Sequence, residues 1–223
     1  MKPLNLFCLP GWAVSPRAFD ALLAQLPECT VQLLDEGADP CAFPEDAVLL
    51  GWSRGAQRAL HLAARRQVRG LILIAASPRF VAADDWTAAL AADTVRGFRE
   101  GFAHSAAATL KRFLALQALG DSQRATVLRQ LGEYLLDAAT PGLAASLDAL
   151  GAADLRDETH LIDCPVLLIH GERDALMPVA AARWLALELD HADLFVFEDC
   201  GHAPHLSRAH ETARLIRDFA GRL

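Results

Sequence analysis

Val48-Leu49-Leu50-Gly51-Trp52-Ser53-Arg54-Gly55 is the stretch that decides how this chain is read. An apolar run ends in G-x-S-x-G, and Ala56-Gln57-Arg58-Ala59-Leu60-His61-Leu62-Ala63-Ala64 follows as a helix. A strand, a tight turn with serine at its apex and a helix make the context a nucleophile elbow requires. The small neighbours let strand and helix approach closely while Ser53 takes a strained backbone conformation. The hydroxyl then stands clear of the strand at a helix N-terminus, where developing negative charge is favoured.

Outward from this stretch, strands and helices alternate. Leu4–Leu9 is a short apolar run broken by Pro10-Gly11-Trp12, and Ser15-Pro16 opens a helix carrying Phe19, Leu22, Leu23 and Leu26. Thr30–Leu34 is a second strand, a loop with Pro40 and Pro44 follows, and Ala47–Gly51 leads into the elbow. Leu71–Ala75 is a fourth strand. Alternation of this kind predicts right-handed crossovers and a parallel sheet covered on both faces. From Phe80 to Leu161 the pattern changes to alanine- and leucine-rich helices, predicted at 85–92, 94–102, 105–119, 122–136 and 141–150. Such a block is either a lid over one edge of the sheet or extra core helices. Strands return at 164–171 and 192–197, with helices at 178–187 and 207–223.

Composition bounds the function. The 223 residues suffice for one α/β domain with an insertion or two small domains. With 53% hydrophobic residues and a mean hydropathy of +0.21, a large core is expected and disorder is not. A net charge of −7 argues against a general nucleic-acid binder. The eight histidines lack metal-ligand spacing, and neither a metal nor a cofactor is expected. Cys8, Cys29, Cys41, Cys164 and Cys200 are odd in number and contain no C-x-x-C, which fits reduced thiols. No signal peptide or membrane-length apolar run is seen, so a cytoplasmic location is expected; the chain is separately expected to be a monomer.

A serine hydroxyl needs a base. Gly171-Glu172-Arg173-Asp174 and Asp199-Cys200-Gly201-His202 follow the last two predicted strands. In parallel sheets ligands bind beyond the carboxyl ends of the strands. Ser53, Asp174 and His202 therefore gather there, in the chain order of an α/β-hydrolase. His202 would deprotonate Ser53 and Asp174 would fix the imidazole tautomer. His205 competes with His202 and reads as a loop or surface residue; Glu172 and Asp199 compete with Asp174. His170 reads as structural. The oxyanion donors are expected from the backbone N–H groups of Arg54 and Trp12. Trp12 and Trp52 line an apolar acyl pocket or are plain core aromatics. Between 96 and 129, six basic residues (Arg96, Arg99, Lys111, Arg112, Arg124, Arg129) stand against Glu100 and Asp121, a local charge of +4. That suits an anionic partner, or else a solvated helix face.

Gly51-Trp52-Ser53, Ala76-Ser77-Pro78, Asp85-Trp86, Gly97-Phe98, Arg112-Phe113-Leu114-Ala115-Leu116-Gln117 with Gly120, Asp174-Ala175-Leu176-Met177-Pro178 and Gly201-His202-Ala203-Pro204-His205 resemble the pimeloyl-acyl-carrier-protein methyl ester esterases of biotin synthesis. The resemblance covers nearly the whole chain. It implies an α/β-hydrolase fold: a mostly parallel sheet of about six strands with a core at 1–79 and 162–223 and a helical lid at 80–161. It also implies a carboxylesterase that removes a methyl group from a pimeloyl chain on acyl carrier protein. Carried over by motif, Trp12, Ser53, Arg54, Phe113, Leu114, Ala115, Leu116, Gln117 and His202 line the substrate site, with Phe98 and Leu176 as apolar walls. Arg112 and Arg129 match carrier contacts, with Lys111 and Arg124 as neighbours. The chain departs from the family in lacking the first antiparallel strands, which should leave an exposed sheet edge. It also has Pro10-Gly11 for the usual His-Gly, Arg54 for an apolar residue, and Ala108 and Ala125 where basic residues are expected. The alternatives are a broad short-chain carboxylesterase or thioesterase acting on small esters, and a non-enzymatic ligand-binding protein of the same fold.

Overall fold

The computed structural model describes residues 4–35 and 43–223; the loop at Pro40 and the thiol of Cys41 lie outside the described residues. Six strands form one sheet: β1 (Asn5–Leu9), β2 (Thr30–Leu33), β3 (Ala47–Trp52), β4 (Gly70–Ile74), β5 (Val166–Gly171) and β6 (Ala192–Phe197). Their order is β2-β1-β3-β4-β5-β6, and every neighbouring pair is parallel. The chain runs outward from β1 to β2 and then returns to β3, so a topological switch point lies between β1 and β3. That is where doubly wound sheets open a crevice.

The central strands read as continuous apolar runs because both of their faces are covered. Alternate side chains divide between two cores. Leu6, Cys8, Val48, Leu50, Ile72 and Ile74 pack on one face with Leu22, Ile216 and Phe219. Phe7, Leu9, Leu49, Leu71, Leu73 and Leu168 pack on the other with Ala56, Ala59, Leu60 and Leu185. The first face is covered by α1 (Asp20–Leu23) and α9 (Ala209–Ala220), the second by α2 (Arg54–Ala63) and α7 (Val179–Glu188). At the β2 edge, Thr30, Gln32 and Leu33 are exposed.

Between β4 and β5 the chain forms α3 (Ala92–His104), α4 (Ala106–Gln117), α5 (Arg124–Tyr134) and α6 (Leu143–Ala152). A third apolar cluster joins this insertion to the loops beyond the strand ends, with Trp12, Phe80, Phe113, Leu147, Leu176 and Met177 at its centre.

One expected helix is corrected, and two short elements are added. Residues 85–91 are not helical; isolated bridges Val81↔Leu90 and Ala83↔Trp86 fold them into a compact loop. Side chains from distant segments tie it down. Arg156 pairs with Asp85 at 2.8 Å and Asp154 at 2.7 Å, and the Trp86 indole donates to the Arg79 carbonyl at 3.0 Å. The last helix, expected over 207–223, runs as α9 and is preceded across Arg208 (φ −131°) by a short α8 (Pro204–Ser207), with Arg208 donating to Ser122 Oγ at 2.9 Å. A 3-10 helix at Arg156–Leu161 had no sequence signal.

Candidate active site

The elbow holds Ser53 at φ 57° and ψ −116°, a conformation that costs of order 1–3 kcal/mol and persists only where surroundings enforce it. Here Ser53 N–H donates to Ile74 O at 2.9 Å, and its own carbonyl accepts from Ala56 and Gln57 at the start of α2. The flanking glycines are required by contact. A Cβ at Gly55 would sit 1.9 Å from Leu9 O, and one at Gly51 would lie 2.5 Å from Gly55 O. Strand and helix meet backbone to backbone, and that closeness forces the serine outward.

Asp174 and His202 come from the turns after β5 and β6. His202 Nδ1 lies 2.7 Å from Asp174 Oδ2, both side chains being fully buried. Burial acts to raise the Asp174 pKa, but the His202 charge and hydrogen bonds from His170 and His202 outweigh it, holding the carboxyl well below its usual range. An ionised carboxylate only accepts, so Nδ1 must carry the proton. His202 Nε2, buried and without a hydrogen-bond partner among the described residues, is left with a free lone pair. Asp174 Oδ1 is occupied as well, accepting from the Leu176 and Met177 amides at 2.9 Å each. One carboxylate thus orients the imidazole and closes the turn that delivers Leu176 to the apolar cluster.

The backbone of His202 is pinned on two sides. Its N–H donates to Gln117 O at 3.3 Å and its carbonyl accepts from the Trp52 indole at 2.8 Å. Trp52 therefore does not wall an acyl pocket. It lies in the core with its ring 4.5 Å from that of His205 and 5.7 Å from that of His202, supporting the histidine loop from beneath. His205 is likewise corrected from a loop or surface residue to a fully buried one in α8.

Neither ring nitrogen of His205 has a partner among the described residues, and burial, with the His202 charge second, pushes its pKa down to about 3. Unfolded histidine titrates near 6.5, so below that pH the unfolded chain takes up a proton that the folded one refuses. Stability is therefore complete above about pH 6.5 and falls as the pH drops toward 3. His205→Phe, which keeps a ring between Phe19 and Trp52, should shrink the loss of urea midpoint between pH 7 and pH 5. An unchanged loss would show that His205 does not set the acid limb.

Trp12 is buried, its ring edge-on to Phe113 at 4.9 Å and to Phe102 at 5.5 Å, and its indole donates to Leu143 O at 2.9 Å. Phe98 and Leu116 pack on the same cluster as Trp12, Phe113 and Leu176. Helix geometry divides the 113–117 run. Phe113 and Leu116, three residues apart, share the face toward Trp12, while Leu114 turns to the core cluster that contains Val127 and Leu131 of α5. Leu114 is thus a packing residue between helices. Ala115 is half-buried, and Gln117 is buried with its Nε2 unpartnered among the described residues. Arg54 begins α2 directly after Ser53.

His170 donates from Nε2 to Met177 O at 2.7 Å, and Asp199 pairs with Arg173 at 2.7 Å on the surface. The local charge is redistributed by acids outside the counted window. Arg96 pairs with Asp93, Arg99 with Asp148 and Arg129 with Glu133. Lys111, Arg112 and Arg124 are exposed and make no ion pair among the described residues. Among those residues no His, Cys, Asp and Glu side chains group as a metal site, and no helix is long and apolar enough to cross a membrane.

Sequence reasoning counted Asp121 only as a charge. The structure buries it and surrounds its carboxylate with hydrogen-bond donors. Its donors lie about eighty residues away in sequence, and the single local sign is an Asp two residues before Gln123, whose N–H it caps at 2.7 Å.

The sequence matches the model of the Alpha/beta hydrolase family over residues 5–215. It is 44% identical to a pimeloyl-[acyl-carrier protein] methyl ester esterase of Aromatoleum aromaticum, over 98% of both chains. It is 35% identical to the protein of the same name from Nitrosomonas europaea, over 91% of this chain and 90% of that one. Among solved structures, an esterase from Exiguobacterium antarcticum superposes with a TM-score of 0.80 at 21% identity, covering 99% of this chain and 92% of the other. That likeness speaks for the fold alone. The chain therefore belongs to the alpha/beta hydrolase family, among the pimeloyl-[acyl-carrier protein] methyl ester esterases.

Proposed function

We propose that the protein hydrolyses the methyl ester of pimeloyl-acyl carrier protein, the activity named for its relatives, by two-step acyl transfer at Ser53. The observation that carries the chemistry is the 2.7 Å contact of His202 Nδ1 with Asp174, which leaves Nε2 unpaired among the described residues and available as a base for the strained Ser53. Ser53 Oγ attacks the ester carbonyl carbon while His202 Nε2 takes its proton. The oxyanion is held by the N–H groups of Trp12 and Arg54. Collapse breaks the bond to the methoxy oxygen, and His202 returns its proton so that methanol leaves. Water, deprotonated by His202, then cleaves the acyl-enzyme to the free carboxylate and restores Ser53.

Residues 80–161 act as a lid on a core made of 1–79 and 162–223. The acyl chain runs between them along Trp12, Phe98, Phe113, Leu116 and Leu176, which share one apolar cluster. Ser53 is only 3% exposed, so substrate entry requires the lid to part from the core. The carrier, an acidic protein, docks on Lys111, Arg112 and Arg124, which make no ion pair among the described residues, with Arg129 at the margin.

Charge reversal of Lys111, Arg112 and Arg124 to Glu tests this reading. It should lower kcat/KM for methyl pimeloyl carrier protein about ten- to a hundredfold, with a weakened salt dependence, while turnover of p-nitrophenyl butyrate holds. Equal kcat/KM on the carrier substrate would remove the carrier role and leave a broad carboxylesterase or thioesterase.

A further inference from the structure

A buried carboxylate from the helical insertion grips both ends of the segment that carries His202. Asp121 lies in the turn between α4 and α5 and is 6% exposed. Its Oδ2 accepts from Gly201 N–H at 3.0 Å, Ser207 Oγ at 2.8 Å and Cys200 Sγ at 3.3 Å. Cys200 and Gly201 immediately precede His202, and Ser207 closes α8 just after it. The opposite oxygen, Oδ1, caps Gln123 N–H at 2.7 Å. A buried carboxylate is costly unless its oxygens are satisfied by directed donors, and this one is.

The same turn is fastened at further points. Gln123 Nε2 donates to Ser207 O at 2.7 Å, and Ser122 N–H donates to Asp199 O at 3.0 Å. The backbones meet where a side chain would intrude: a Cβ at Gly120 would lie 2.5 Å from Arg173 O, and one at Gly201 would lie 2.8 Å from Leu119 O. The position of the histidine loop is thus set by Trp52 from below and by the insertion from the side.

We infer that Asp121 is a positioning residue for His202, fixing through the backbone of 200–202 and through Ser207 where the imidazole stands relative to Ser53. The inference rests on the Ser53–His202–Asp174 reading above. The hydrogen bonds of Asp121 go to Cys200, Gly201, Ser207 and Gln123 and not to the imidazole, so its effect passes through geometry. A displacement of about 1 Å at a catalytic group costs on the order of a hundredfold in rate.

The test compares Asp121→Ala, Asp121→Asn and Ser207→Ala in the full chain on p-nitrophenyl butyrate, with active sites counted by a fluorophosphonate. Asp121→Ala should lower kcat per titrated site about ten- to a hundredfold with KM within about twofold. Asp121→Asn, whose carbonyl oxygen still accepts from Gly201 N–H, should recover a large part of that loss. Ser207→Ala removes one donor and should show the same kcat-only pattern to a smaller degree, which keeps the test decisive if Asp121→Ala does not fold. Wild-type kcat per site in Asp121→Ala, or in Ser207→Ala where that variant stands alone, overturns the proposal. So does a rise in KM confined to carrier-bound ester, which would make Asp121 a lid anchor. Activity surviving in Ser53→Ala would instead sink the triad reading, whatever Asp121 does.

Discussion

Ser53→Ala is expected to lower kcat by roughly 10^4 to 10^6-fold on both carrier-bound and small esters, leaving the fold intact. Alanine meets the same backbone demand as serine at φ 57°, so the elbow keeps its shape and only the hydroxyl is lost. The residual rate is what the oxyanion donors and substrate binding supply without a nucleophile. Covalent labelling by a fluorophosphonate should vanish, while the thermal midpoint shifts by no more than a few degrees. Labelling of the variant at the wild-type rate would show that another residue is the nucleophile.

Asp174→Asn should cost about 10^4-fold in kcat, equivalent to about 5.5 kcal/mol of barrier. The reason lies in the two sides of the carboxylate. Oδ1 receives the Leu176 and Met177 amides, so an asparagine must turn its carbonyl oxygen to them. Its NH2 group then faces His202 Nδ1, where Oδ2 had accepted at 2.7 Å. Nδ1 is forced to accept, the proton moves to Nε2, and the lone pair needed to deprotonate Ser53 is gone. Raising the pH should not restore the rate, because the defect is a tautomer and not a lost charge alone. A loss below tenfold would mean that Asp174 does not set the tautomer of His202.

The sheet was open to reading because its strands are buried on both faces and stand in the sequence as unbroken apolar runs, bounded by Gly and Pro. The elbow was equally plain, since Gly51 and Gly55 answer to backbone clashes that any sequence making this turn must avoid. Asp174 and His202 were found through their places at strand ends. What escaped depended on partners distant in the chain. Asp121 gains its meaning from Cys200, Gly201 and Ser207, and Trp52 turns from the apolar cluster toward His205. The charges counted on the insertion were half-neutralised by Asp93, Asp148 and Glu133, which lie just outside the counted window or on another helix. The loop at 85–91 is tied by Arg156, some seventy residues on.

The direct pairing of β4 with β5, Leu71 opposite Val166 through Ile74 opposite Ile169, has an evolutionary side. The long helical insertion leaves and re-enters the sheet at two adjacent strands, about 4.8 Å apart. Closing a loop costs little more as it lengthens, about 0.6 kcal/mol per doubling. The sheet thus holds the insertion like a cartridge in a fixed socket. Helices there can be lengthened, shortened or exchanged with the strand register and the elbow unchanged, so long as the turn at 120–123 that grips the His202 loop is kept.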